Sequence, residues 1–213
     1  CLGKDARTGS VTVISAVSPP GGDFSEPVTQ ASLRFAGSLW ALDPDLAYRR
    51  HFPAVNWLAS FSLYHGELSE WFSEHVAHDM AKLRRKLYAL LQRQTELRDI
   101  IQIIGVEALQ ETDRLTLEVA NIATESFLKQ SAFSEVDAFN TYEKQYWMLK
   151  AIFAYMESAE AALRRGVYIE TILDNPARGS LSRMKEMANE GFAEKAAAMI
   201  RDIESEFAIL EEK

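Results

Sequence analysis

Two histidines one helical turn apart, His75 and His78 in "EHVAHD", are flanked by Glu74 and Asp79. Imidazole and carboxylate at that spacing could hold a divalent metal. A solvated helix face carries the same residue types, so no metal is expected here. A second cluster, His51, Phe52 and Trp57 in "RRHFPAVNW", sets bulky rings in a stretch interrupted by Pro53. Such rings either plug a joint between packed units or offer a stacking platform to a flat ligand. Other chemistry is missing. Gly3-Lys4 is followed by Asp5 and lacks the upstream glycine of a phosphate-binding G-x-x-x-x-G-K-[ST] loop. There is no G-x-S-x-G, no H-E-x-x-H, and Cys1 is the only cysteine. The chain by itself carries no nucleophile or acid–base pair at recognisable spacing.

The elements that must position these residues follow from punctuation and periodicity. "SVTVISAV", Ser10 to Val17, alternates with period two and is apolar on both faces, the pattern of a strand buried in a parallel sheet. No second run of that quality follows, and a lone strand cannot satisfy its backbone groups. The partner strands are therefore expected upstream of Cys1, and the segment reads as the tail of an α/β domain. Pro19, Pro20, Gly21 and Gly22 then force a turn, with Asp23 and Ser25 as cap-type residues. Pro27 suits the first turn of a helix that runs on to about Leu42. Asp43-Pro44 opens a short helix that Phe52-Pro53 closes.

From about Leu68 the pattern is helical throughout. Leu83, Leu87, Leu90, Leu97, Ile101 and Ile104 recur on one face, with Gly105 as the stop. Further helices are expected at about Glu111 to Leu128 and from the Thr141 N-cap to Gly166. Two more follow the Asn175-Pro176 break, at about Ser180 to Asn189 and Phe192 to Glu211. The expected fold is mainly α: a bundle of five or six helices over residues 67–213. It follows a short β/loop/helix remnant of a nucleotide-binding α/β domain over residues 1–66.

Composition limits the functions available. The 213 residues carry 23 Lys plus Arg against 31 Asp plus Glu, a net charge of −8. That balance opposes a general nucleic-acid or anionic-membrane surface while leaving room for one local phosphate-bearing ligand. No apolar run approaches the ~20 residues of a membrane span. The opening Cys-Leu-Gly fits either a lipid-bearing lipoprotein terminus or a piece of a longer chain, and the two-sided apolar run favours the second. A stand-alone helical scaffold or lipoprotein starting at Cys1 is the alternative reading.

"GSVTVISAVSPPGGDFSEPVTQ", "WALD" and "RRHFPAVNWLASFSLY" resemble the catalytic (alpha) subunit of archaeal-type and vacuolar-type rotary ATP synthases and ATPases. The likeness continues through "LRDIIQIIGVEALQETDRLTLEVA" and "FLKQSAFSEVDAF", so it spans essentially the whole chain. It implies a part of an enzyme that couples ATP hydrolysis or synthesis to ion transport. In that family the phosphate loop, catalytic glutamate and magnesium region precede the matched part, so no catalytic residue is expected here. ATP or ADP with Mg²⁺ would bind the full-length protein, with none held tightly by this chain alone.

The resemblance also implies residue roles. Phe52 matches the aromatic that stacks on adenine, Phe133 the aromatic opposite it, and Phe24 an aromatic near the phosphate loop. Phe139 is a further pocket edge, where the family's Tyr-Cys is replaced by Phe139-Asn140. Gly105 to Asp113 corresponds in position to the loop that presses on the central rotor, with Glu107, Glu111 and Asp113 facing it. The implied partners are non-catalytic B subunits in an alternating hexamer, the rotor stalk and the peripheral stalk. The implied location is the cytoplasmic head, peripheral to the membrane, with no membrane insertion and no nucleic acid.

Overall fold

The computed structural model describes residues 9–210, so the readings that rest on Cys1, Gly3-Lys4 and Glu211 lie outside the described residues. The chain falls into two compact units that divide after Leu39. In the first, the run expected as a strand is extended but forms no strand. Ser10 to Val17 is solvent-exposed along its length. Two apolar faces make a strand only when neighbours supply hydrogen bonds and cover, and none pairs with this run among the described residues. A 3₁₀ turn at Pro20–Gly22 follows, with Gly21 and Gly22 at φ 65° and 73°. The proline-to-glycine change of hand explains the sequence order there.

Helix α1, Pro27–Phe35, is capped by Glu26, whose carboxylate accepts the Thr29 amide at 2.8 Å. Asp23, expected as a cap, instead accepts the Ser25 amide at 2.9 Å within the preceding turn. The helix stops well short of Leu42, because Ala36 is already extended and Gly37 follows it. A two-residue strand, β1 (Ser38–Leu39), ends the first unit.

The second unit is helical. It contains α2 (Pro44–Tyr48), the two-residue β2 (Phe61–Ser62), α3 (His65–His75) and α4 (Met80–Ile104), then α5 (Glu111–Ala123) and α6 (Tyr142–Arg164). Three more, α7 (Ile169–Leu173), α8 (Ala177–Arg183) and α9 (Phe192–Ala208), complete it among the described residues. Helix α6 is the spine: it packs most extensively against α9 and then against α5, which packs in turn on α4. Its buried Met148, Leu149, Ile152 and Tyr155 meet Phe192, Met199, Ile203 and Phe207 of α9 in one apolar core. The Tyr155 and Phe207 rings meet edge-on at 5.3 Å. The Tyr155 hydroxyl donates to the Ile172 carbonyl at 3.3 Å, so its one polar atom is not left orphaned. Burial pushes the Tyr155 phenol up to about 12.

Helix ends follow the expected punctuation. Thr141 caps α6 by accepting the Lys144 amide, and Gly166 (φ 88°) turns the chain away after its last turn. Gly105, at φ 81°, ends α4. Leu83, Leu87, Leu90 and Leu97 are buried as their spacing requires, but Ile101 is only half-buried and Ile104 is exposed. The last turn of α4 therefore reaches beyond the core. Helix α8 begins at Ala177, earlier than expected, and gives way to a 3₁₀ turn at Met184–Glu186.

Candidate functional site

Asp43 organises the stretch that carries His51, Phe52 and Trp57. Its Oδ1 accepts the Asp45 and Leu46 amides that open α2, and its Oδ2 accepts the Asn56 side chain at 2.9 Å. Burial raises the Asp43 pKa, but these hydrogen bonds outweigh it and hold the carboxyl below its usual range. An antiparallel bridge between Leu42 and Val55 closes the base of the loop. After α2, Arg50 turns left-handed (φ 57°), and the Phe52-Pro53 peptide is cis. His51 is buried, its ring edge-on to Trp57 at 5.5 Å, while the neighbouring Phe52 is 52 % exposed. His51 and Trp57 thus pack against each other within the second unit. Phe52 is left as a free ring.

The second segment begins where α5 widens into one π turn, Thr124–Leu128. The Gln130 amide then donates to the Phe52 carbonyl at 2.7 Å. The next amide, Ser131, donates to Asp137 Oδ2, also at 2.7 Å. Gln130 Nε2 reaches the Asp137 carbonyl at 3.2 Å, and the Ala138 amide bonds the Ser134 carbonyl. Residues 131–140 are thus a tight loop wound around a buried acid. It presents Phe133, 101 % exposed, and Phe139, 78 % exposed. Asn189 Nδ2 holds the Phe139 carbonyl at 2.7 Å, bracing the loop from the segment before α9.

Beneath the loop lies a buried cation. Lys144 is fully enclosed, and its ammonium donates to the Lys185 and Met187 carbonyls at 2.9 and 2.7 Å. Burial lowers its pKa, and the negative charge of Asp137 opposes that shift. The ammonium also sits 5.5 Å from the Phe192 ring centre. A buried charge with two carbonyl partners and an aromatic face fixes the backbone it holds.

The expected site residues therefore separate into groups. Phe52, Phe133 and Phe139 belong to two segments joined by the Gln130–Phe52 bond. Phe24 lies in the first unit, 39 % exposed, with its carbonyl accepting Gln30 Nε2 at 2.8 Å. Glu107 and Glu111 are exposed at the α4–α5 turn, whereas Asp113 is paired with Arg93 at 3.0 Å. The same turn exposes Ile103, Ile104 and Val106, an apolar tip not expected from the acidic sequence around it. His75 stacks on Trp71 at 4.8 Å and its Nδ1 lies 2.9 Å from the Trp71 carbonyl. Among the described residues no group of three or more His, Cys, Asp or Glu could hold a metal ion.

Gln130 and Asp137 carry no distinctive mark in the sequence. The one available sign is an acid inside the aromatic stretch "SAFSEVDAF". A separate open groove of about 590 Å³ lies between α8 and α9, lined by Ala177, Arg183, Lys195, Met199 and Asp202, and none of the four phenylalanines lines it.

Residues 69–173 match the family described as the C-terminal domain of V and A type ATP synthase. Residues 2–62 match the ATP synthase alpha/beta family, nucleotide-binding domain. Among similar proteins, a V-type ATP synthase alpha chain, alpha chain 1 of Clostridium tetani, is 51% identical over 185 residues, 87% of this chain and 31% of the relative. The V-type ATP synthase alpha chain of Clostridium perfringens is 49% identical over 189 residues, 89% of this chain and 32% of the relative. The corresponding A-type ATP synthase chain of Methanopyrus kandleri is 49% identical over all 213 residues, 36% of its own length. The chain spans about a third of the length of these relatives.

Proposed function

The chain belongs to the family of the A-type and V-type ATP synthase alpha chains, and we propose that it supplies the adenine-stacking wall and the rotor-facing lever of that protein. The observation that carries this reading is the bond from the Gln130 amide to the Phe52 carbonyl. It joins an exposed ring to a loop that presents two more. A purine is a flat, polarizable plate, and stacking on aromatic rings holds it with ~1–3 kcal/mol per base. Stacking makes no demand on the triphosphate, so base binding can be separated from phosphate chemistry. That division suits a chain with no phosphate-cradling loop in its sequence.

In this reading ATP or ADP with Mg²⁺ binds the full-length alpha chain, and Phe24 stands near the phosphates. The stretch 1–66 belongs to the nucleotide-binding domain and 67–213 to the helical domain, a partition that the two family matches support. The helical domain moves with nucleotide binding and release, and the α4–α5 turn presses on the central stalk. Glu107 and Glu111 present charge to a basic rotor surface, while Asp113 steadies the turn through Arg93. The surrounding assembly is an alternating hexamer with non-catalytic B subunits and a peripheral stalk, at the cytoplasmic face of a membrane whose ions it moves. No helix among the described residues is long and apolar enough to cross that membrane.

Phe52→Ala in the full-length alpha chain, in its assembled complex, tests the stacking wall. Loss of ~1–3 kcal/mol of stacking corresponds to a rise in KM for ATP of roughly 5- to 150-fold. Turnover is expected to stay within about twofold, since a stack made equally in ground and transition states contributes uniform binding. A fall in turnover with KM unchanged contradicts the stacking role.

A further inference from the structure

We propose that Asp137 is the positioning residue of the adenine wall: its buried carboxylate, gripping the Ser131 amide, sets where Phe133 stands relative to Phe52. This rests on the stacking reading above. Two consecutive amides point to it. Gln130 N–H is fixed to the Phe52 carbonyl and Ser131 N–H to Asp137 Oδ2, both at 2.7 Å. The first bond ties the loop's root to one ring. The second closes the loop that holds the other, six residues before the acid is reached. The Gln130 side chain and the Asp137 carbonyl lock the same root from the opposite direction.

Burial makes the grip stiff. Asp137 is 2 % exposed, and its other oxygen, Oδ1, is buried without a hydrogen-bond partner among the described residues. Losing the Ser131 donor would leave a second acceptor oxygen of this buried carboxylate unpaired, which makes the bond costly to break. Phe133 has no packing of its own, being fully exposed. Its place is therefore set by the loop backbone, which Asp137 closes at the Ser131 end while Asn189 braces it at Phe139. The carboxylate never reaches the nucleotide; it acts through Ser131 and the ring that follows.

Kinetics of the full-length alpha chain in its assembled complex test this, with ATP as the probe. Asp137→Ala removes the acceptor and is expected to raise KM for ATP about tenfold with turnover within twofold. Asp137→Asn keeps an oxygen acceptor and is expected to restore KM to within about twofold of the parent. Should the alanine variant not assemble, Asp137→Glu reads the same split. It keeps the charge but displaces the acceptor by one methylene, and a raised KM is again expected. The decisive comparison is the double variant Phe133→Ala/Asp137→Ala. If Asp137 acts through Phe133, the double variant has the KM of Phe133→Ala alone. Multiplied effects, or a normal KM in both Asp137→Ala and Asp137→Glu, overturn the proposal. If Phe133→Ala and Phe52→Ala both leave KM unchanged, the stacking reading fails and the Asp137 role fails with it. If those two raise KM while the Asp137 variants do not, only the positioning role fails.

Discussion

At the scale of single residues, the segment around Phe52 divides its work by burial. His51 goes inward and Phe52 outward, because the chain turns left-handed at Arg50 just before them. The buried imidazole carries a pH consequence. Burial holds the His51 pKa below its usual range, the Glu125 carboxylate pulls it up, and Lys129, Arg49 and Lys185 add to the lowering. The unfolded chain therefore binds this proton at a higher pH than the fold does. Stability from the neutral ring is fully present above the unfolded pKa and is lost as pH falls through the window between the two values. Melting curves between about pH 8 and pH 5 are expected to show a steeper loss for the parent than for His51→Phe, whose ring takes no proton. Parallel losses would mean that the His51 ring is not buried neutral. None of this inward–outward division is legible in the sequence. Both residues are bulky rings beside a proline, and only the backbone turn assigns them opposite duties.

At the scale of elements, local signals reported well and non-local ones poorly. Thr141 and Gly166 bracket α6 as their residue types require, and the four leucines of α4 fall on its buried face. Those features depend on neighbours within a few residues. The run Ser10 to Val17 has strand periodicity yet forms no strand, since a ladder needs partners that the described residues lack. A helix running on to Leu42 is suggested for a related reason: Leu39 and Trp40 keep the helical spacing, although the chain is already extended at Ala36. Two measurements follow for α6 and its neighbours. Phe207→Ala empties the contact with Tyr155 and is expected to cost about 3–5 kcal/mol in denaturant unfolding. A loss below about 1 kcal/mol would show that α9 is not the main cover of α6. Thr141→Ala removes one cap bond and is expected to cost about 1 kcal/mol. No change there would mean that the helix start is held by the loop before it rather than by the threonine.

At the scale of the whole molecule, the proposed adenine wall and lever belong to a chain that spans about a third of the length of its relatives. Stacking of ~1–3 kcal/mol per base is far from the about 8 kcal/mol that micromolar affinity requires. Titration calorimetry of this chain with Mg·ATP is accordingly expected to show no binding in the micromolar range. Micromolar, magnesium-dependent binding would place a phosphate site within these residues. The meeting of Phe52 with the Phe133 loop is beyond the reach of residue patterns, because the bond that makes it runs between two backbone groups. The family resemblance implies both rings in one pocket, and the Gln130–Phe52 bond supplies a physical means for it. The most direct test is photolabelling of the full-length alpha chain, in its assembled complex, with an azido-adenine nucleotide, followed by peptide mapping. Adducts on the peptides carrying Phe52 and Phe133, suppressed by excess ATP, are the expected result. ATP-protected adducts confined to other peptides would contradict the adenine wall.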